Sequence, residues 1–261
     1  MTLAHVEDLG DRLVVVNANN ARRNALSDEY YEALGDALRL AEQPRITSVT
    51  LWGDGFFCSG GDLNVLATRR DLPQDQRIAR IEALHDLIRG IKSCPKPVIA
   101  AVEGGAAGAG ASIAFACDFI VAARGAGFTA AYVKAGLVPD GGLSASLSSL
   151  VPRALVSQML LLGETVSAER LAELGGINAI AEPSDVRATA MTLADRIAKG
   201  PMQAQGRIKA LIASAQDAGF TTQLDHERNA MAEAVIAPEA EEGINAFLNK
   251  RRPDFTKLRT S

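Results

Sequence analysis

Histidine and cysteine are scarce in this chain of 261 residues, with three of each. His5, His85 and His226 stand far apart and form no HExxH pair, which sets aside a zincin-type metalloprotease. Cys58, Cys94 and Cys117 are odd in number and have no CxxC spacing, so neither a disulfide framework nor a zinc site is indicated. A GxSxG nucleophile elbow is missing too, because Phe57 stands two residues before Ser59. Ser93-Cys94-Pro95-Lys96 has the SxxK form but sits on a proline-broken approach to a strand without the companion motifs. There is no surplus of positive charge: 27 Lys+Arg against 31 Asp+Glu leave 27 − 31 = −4, no footprint for nucleic acid or anionic lipid. Long apolar runs are lacking as well. The least polar stretch, Gly104 to Cys117, is too short and too rich in glycine to span a bilayer. Met1 to Arg12 carries Glu7, Asp8 and Asp11 and no apolar h-region, so no signal peptide is read there. A cytoplasmic protein with neither a nucleic-acid nor a membrane partner is expected.

Aromatics are few, at 5%, whereas apolar residues reach 48% and glycine 23 residues. The core must therefore be built from small aliphatic side chains, which lets backbones approach one another and a ligand closely. Val14-Val15-Val16 reads as a buried strand ended by the polar run Asn17 to Asn24. Ser27 is placed to cap a helix through about Gln43, with Tyr30, Leu34, Leu38 and Ala41 on one face. Ile46 to Trp52 reads as a second strand before the Gly53-Asp54-Gly55 turn. A helix with the inner stripe Ile78, Ile81, Leu84, Leu87, Ile88 and Ile91 ends at Pro95 and Pro97. Val98 to Val102 and Phe119 to Ala122 are further strands, separated by a Gly/Ala segment that runs into a helix toward Cys117. Beyond them the pattern is mostly helical: Leu143 to Leu162, Ala168 to Leu174, Val186 to Lys199, then two or three amphipathic helices. Strand–helix alternation followed by a helical tail predicts an α/β unit over 1–199 and a helical region over 200–261.

Two glycine-rich loops each follow a strand. One is Gly53 to Leu63, containing Phe57-Cys58-Ser59-Gly60-Gly61-Asp62-Leu63, and the other is Glu103 to Ala111. Such loops expose backbone N–H groups, and one that enters a helix adds the positive end of its dipole. Converging on one point they would form an oxyanion hole, worth about 3–4 kcal/mol per well-placed donor. Taken singly, each loop reads equally well as a tight turn. The second loop has GxxGxG spacing and no acid at the next strand end, which opposes a nicotinamide-binding reading.

These loops, with Arg22-Arg23-Asn24-Ala25-Leu26-Ser27, the run from Gly105 through Asp118, Lys134 through Gly142 and the tail Ala246 through Phe255, resemble the enoyl-CoA hydratase/isomerase (crotonase) superfamily. The segments follow the family's order and cover nearly the whole chain. The resemblance implies a ClpP/crotonase-like α/β fold of repeated ββα units, with a C-terminal helical region that assembles homotrimers or dimers of trimers. It implies acyl-CoA thioester substrates, with coenzyme A part of the substrate and no metal or separate cofactor. It also places the oxyanion-hole amides on Gly61 and Ala109, where many relatives have glycine in place of Ala109. Arg22 and Arg23 would lie near the CoA phosphates, and Ala25, Asp62 and Leu63 would present backbone to the adenine. Ser59, Gly108, Tyr132 and Pro139 would border the substrate, while Phe247 and Lys250 would reach the nucleotide of a neighbouring subunit.

The two glutamates of family hydratases fall on Ser112 and Tyr132, neither of them a carboxylate, so hydration by two carboxylates is disfavoured. Asp140 in Pro139-Asp140-Gly141-Gly142 matches the catalytic aspartate of family isomerases. One carboxylate suffices to carry a proton from one carbon to another. Asp140 is expected to be buried against Leu137, Val138 and Leu143, although Pro-Asp-Gly is also a turn and Asp a good helix cap. Cys58 and Cys117 read as small apolar packing groups, and Tyr132 and Ser112 as packing residues or hydrogen-bond donors. A Δ3,Δ2-enoyl-CoA isomerase is thus expected, with enoyl-CoA hydratase and a non-catalytic CoA-thioester binding protein as the alternatives.

Overall fold

The computed structural model describes residues 2–259; Met1, Thr260 and Ser261, which the expected 1–199 and 200–261 units include, lie outside the described residues. The strands, in chain order, are β1 Ala4–Asp8, β2 Leu13–Asn17, β3 Val49–Gly53, β4 Val98–Val102, β5 Gly105–Ala107, β6 Phe119–Ala123, β7 Gly127–Thr129, β8 Thr165–Ser167 and β9 Ala179–Ala181. The α-helices are α1 Asp28–Leu40, α2 Leu63–Thr68, α3 Gln74–Ser93, α4 Ala109–Ala116, α5 Leu143–Leu150, α6 Arg153–Leu162, α7 Ala168–Glu173, α8 Val186–Ala198, α9 Met202–Ser214, α10 Phe220–Ala234 and α11 Pro238–Leu248. A six-stranded sheet has the order β1-β2-β3-β4-β6-β9, parallel except for β1, and a second sheet has the order β5-β7-β8.

Unbroken apolar runs become strands covered on both faces: every residue of β2 and β4 is buried. The Ser27 cap is present, its hydroxyl accepting from the Tyr30 amide at 3.2 Å, and α1 buries Tyr30, Ala33, Leu34 and Ala37. β3 and β4 are neighbours in register, Val49 opposite Val98. Both strands therefore deliver their following loops to the same edge of the sheet.

Several expectations are corrected. The N-terminal segment forms β1, whose alternation is obscured because His5, Glu7 and Asp8 sit on a half-exposed edge. The second strand begins only at Val49, since Ile46 closes a turn onto Gln43. The run Leu143 to Leu162 is two helices. Val151 is extended and Pro152 supplies the start of α6, because proline disfavours helical backbone in the residue before it. On α3 only Leu84, Leu87 and Ile91 are buried; Ile78 is 51% exposed and Ile81 37%, because among the described residues nothing covers the first two turns.

After Lys199-Gly200-Pro201 the described chain is α9, α10, α11 and a short 3-10 turn. Lys209 of α9 ties this region to the sheet. Its Nζ lies 2.6 Å from Asp118 Oδ2 and donates to the carbonyls of Ile91 at 2.8 Å and Lys96 at 3.1 Å. The lysine is 7% exposed, and Asp118 also accepts from the Val98 amide at 2.7 Å. Replacing Lys209 by Met leaves a part-buried carboxylate and two carbonyls without their cation, at a cost of about 3 kcal/mol. Urea unfolding at fixed protein concentration reads that loss; one below about 0.5 kcal/mol would contradict the tie.

Candidate active site

The first loop lies directly on the second. Cys58 forms a parallel bridge with Ala106, and its carbonyl accepts from the Ala107 amide at 2.9 Å. Two glycines permit the approach. A Cβ on Gly110 would run into the Cys58 carbonyl oxygen, and one on Gly60 would meet the Ala107 oxygen at 2.7 Å and the Ala109 nitrogen at 3.0 Å. Side chains larger than hydrogen would thus force the loops apart. Gly61, next to Gly60, and Ala109 consequently present their amides in one neighbourhood. Among the described residues neither amide donates a hydrogen bond within the chain. Ala109 is the first residue of α4, a helical position that alanine takes without backbone strain. All eight residues of α4 are buried, and its N-terminal end adds positive potential at those amides.

From the other side, the segment at residues 22–26 holds the first loop. Ser59 donates its amide to the Arg23 carbonyl at 3.1 Å and its hydroxyl to the Arg22 carbonyl at 3.1 Å, while Leu26 donates to the Gly60 carbonyl at 2.9 Å. Three asparagines fasten this segment. Asn24 donates to Phe56 O at 2.6 Å and Asp54 O at 3.2 Å, Asn17 to Asn24 O at 2.8 Å, and Asn19 to Ala25 O at 2.9 Å. Arg23 and Asn24 are left-handed, at φ 49° and 54°, a strained pair for non-glycine residues that the surrounding bonds sustain. In the sequence Asn17 and Asn19 read only as the polar end of a strand, and Asn24 also as part of the Arg22 to Ser27 motif.

Asp140 is joined to α4 through Ser112. Ser112, three residues after Ala109, has its hydroxyl 3.0 Å from the Asp140 carbonyl and 3.1 Å from the Tyr132 hydroxyl. The rise of a helix puts Ser112 only about 4.5 Å along the axis from Ala109. Tyr132 donates to Asp140 Oδ1 at 2.7 Å. Neither Ser112 nor Tyr132 serves merely as packing. The capping role open to Asp140 is not taken: Gly142 stands at the N-terminus of α5 with no side-chain hydrogen bond. The apolar wall expected around Asp140 is corrected as well. Leu143 is buried, but Leu137 is 45% and Val138 80% exposed, since the chain crosses the surface uncovered after the left-handed Gly136.

Burial, reinforced by the Asp140 charge, holds the Tyr132 phenol well above the ordinary tyrosine range. Burial likewise pushes the Cys58 thiol up to about 12, as befits an apolar packing group. Cys117 is raised by burial in the same sense. Asp62 caps α2 by accepting from the Asn64 amide at 2.8 Å, and that bond, with the Arg22 ion pair, holds its carboxyl below the usual carboxylate range.

The remaining candidates divide. Ala25 is buried under the first loop, Leu63 is exposed just past it, Gly108 precedes α4 and Pro139 precedes Asp140. Arg22 pairs with Asp62, and the Arg23 guanidinium lies 5.7 Å from the centre of the Phe56 ring. Phe247 and Lys250, at the end of α11, are exposed; α11 packs on residues 255–259, and its Glu239 accepts from the Gln203 and Ala204 amides at the start of α9. Neither residue is among those that the contacts between the two loops bring together.

Residues 10–258 match the family described as enoyl-CoA hydratase/isomerase. A 1,2-epoxyphenylacetyl-CoA isomerase of Escherichia coli (strain K12) is 37% identical over 97% of both chains. A probable enoyl-CoA hydratase of Rhodobacter capsulatus is 35% identical over 94% of this chain and 92% of its own. The crystal structure of an enoyl-CoA hydratase from Polaromonas sp. JS666 superposes with a TM-score of 0.92 at 42% identity, covering 96% of this chain and 98% of that one. Matches of this extent leave one conclusion: the chain belongs to the enoyl-CoA hydratase/isomerase family and has its crotonase fold.

Proposed function

We propose that this protein shifts a double bond in an enoyl-CoA thioester, of the Δ3,Δ2 type, with coenzyme A as part of the substrate and no separate cofactor. The observation that carries the reading is the Asp140 side chain: it caps no helix but is held by the Tyr132 hydroxyl at 2.7 Å, beside Ser112 of the helix that opens at Ala109. Asp140 takes a proton from the carbon beside the thioester carbonyl. The electron pair moves onto the carbonyl oxygen, where the Gly61 and Ala109 amides stabilise the charge as it develops. Asp140 then returns the proton two carbons along, and the carbonyl re-forms with the double bond conjugated to it.

Hydration is the second reading, favoured by relatives named as hydratases. It needs a group to activate water, and Ser112 and Tyr132 at the two glutamate positions are neither basic nor acidic at neutral pH. Non-catalytic binding of CoA thioesters is the third. For the coenzyme, Arg22 and Arg23 lie near the phosphates, Ala25, Asp62 and Leu63 present backbone to the adenine, Ser59 borders the substrate, and Phe247 and Lys250 serve a neighbouring subunit. That last role requires assembly through the C-terminal helices. With the turn between α10 and α11 they expose Ile212, Phe220, Met231, Ile236 and Phe247, the last 83% accessible, apolar surface that a neighbouring subunit would cover.

Asp140→Asn is expected to lower the rate of 3-hexenoyl-CoA isomerisation about a thousandfold. KM should change little, and retention of turnover would remove Asp140 from the reaction. Backbone amides cannot be deleted by substitution, but Gly110→Ala displaces them by pressing on the Cys58 carbonyl. It should lower kcat about a hundredfold, read in the same assay with folding checked by circular dichroism. Size-exclusion chromatography with light scattering should return a multiple of three subunits; a monomer would contradict the role given to Phe247 and Lys250.

A further inference from the structure

We propose that Tyr132, seated by Ser112, is a positioning residue that fixes the Asp140 carboxylate so that only Oδ2 receives and returns the migrating proton. The inference rests on the reading of Asp140 as proton carrier. Oδ1 is occupied by the Tyr132 hydroxyl at 2.7 Å, a charge-assisted bond that sets the plane of the carboxylate. Among the described residues Oδ2 has no hydrogen-bond or ion-pair partner. Tyr132 has one proton to give. Because burial and the Asp140 charge keep the phenol neutral, that proton stays available to Oδ1 throughout the working pH range. Tyr31 of α1, its phenol pushed up to about 12 chiefly by burial, also feels the Asp140 charge and is likewise neutral.

Ser112 supplies the seat. Its hydroxyl lies 3.1 Å from the Tyr132 oxygen, 3.0 Å from the Asp140 carbonyl and 3.5 Å from the Gly108 carbonyl. The main chain and the side chain of Asp140 are thus both referred to one buried turn of α4, the turn that begins with Ala109. Gly141 lies so near that a Cβ there would stand 2.8 Å from the Ser112 Cβ. A carboxylate held at one oxygen keeps Oδ2 facing the substrate between removal and return, which favours return of the proton over its exchange with water. Proton transfer is therefore internal: the C2–H bond breaks as Oδ2 takes the proton, and the same proton forms the C4–H bond.

The test is 3-hexenoyl-CoA deuterated at C2, turned over in ordinary water, with the product analysed by mass spectrometry for label at C4. Wild-type protein should deliver part of the label to C4. Tyr132→Phe, which keeps the ring and removes the donor, should at least halve that fraction and lower kcat about tenfold with KM little changed. Wild-type protein that delivers no label, or a Tyr132→Phe protein with unchanged label transfer and kcat, overturns the inference. If Tyr132→Phe does not fold by circular dichroism, Ser112→Ala takes its place, with reduced label transfer expected and unchanged transfer contradicting. Asp140→Asn in the same assay separates the two levels. Turnover retained there defeats the carrier reading itself, whereas an inactive Asp140→Asn beside an unchanged Tyr132→Phe defeats the positioning role alone.

Discussion

Contact between two loops at backbone distance is the constraint on which this site depends. The Cys58 carbonyl occupies the space a side chain on Gly110 would need, and Gly60 lies against the Ala107 and Ala109 backbone. Side-chain bonds from Asn24 and Glu103 to the first loop reinforce that geometry. It follows from adjacent parallel strands, β3 and β4, ending at one edge of the sheet, and from glycine at the closest approaches, Gly60 and Gly110. Small-residue composition, which forgoes the large buried area of aromatics, makes the close approach possible. Free backbone N–H groups in a dry, rigid setting are what an oxyanion requires, because they need no reorganisation when charge appears.

The same economy governs the acid–base group. α4 supplies the Ala109 amide with its first residue and the Ser112 hydroxyl with its fourth, so the proposed charge-stabilising and proton-carrying elements share one buried helix. Helical rise sets the spacing of Ala109 and Ser112, against which Tyr132 and Asp140 are held. In the proposed isomerisation, Ser112 and Tyr132 stand where the family resemblance places the two hydratase glutamates. They hold a single carboxylate in place of providing a second one, which suits moving a proton between carbons better than adding water.

Much of this was legible in the sequence, for identifiable reasons. β2 and β4 are buried on both faces and so read as continuous apolar runs, and the Ser27 cap is a local side chain-to-backbone bond. The glycine loops and Pro139-Asp140-Gly141-Gly142 announce themselves because only a few residue types tolerate such backbones. What stayed hidden depends on tertiary contact. β5, β7 and β8 are three residues each, too short for any periodicity, and they form only because the chain brings them together. The bond from Tyr132 to Asp140 spans eight residues across a turn and has no sequence signature. Asn17, Asn19 and Asn24 looked like the polar end of a strand, while their amides in fact fasten the first loop. Ile78 and Ile81 fit a helical stripe but extend beyond the packed layers, since periodicity reports a face and not what covers it.

Polarisation of the bound carbonyl tests the central claim most directly. Infrared difference spectroscopy of butyryl-CoA, carbon-13 labelled at the thioester carbonyl and saturating the protein, reports the hydrogen bonds made to that oxygen. Two amide donors should move the stretch to lower frequency than in water, and Gly110→Ala should abolish much of the shift. A bound ester whose carbonyl absorbs at its aqueous frequency in the wild-type protein would mean that the Gly61 and Ala109 amides do not meet over the substrate.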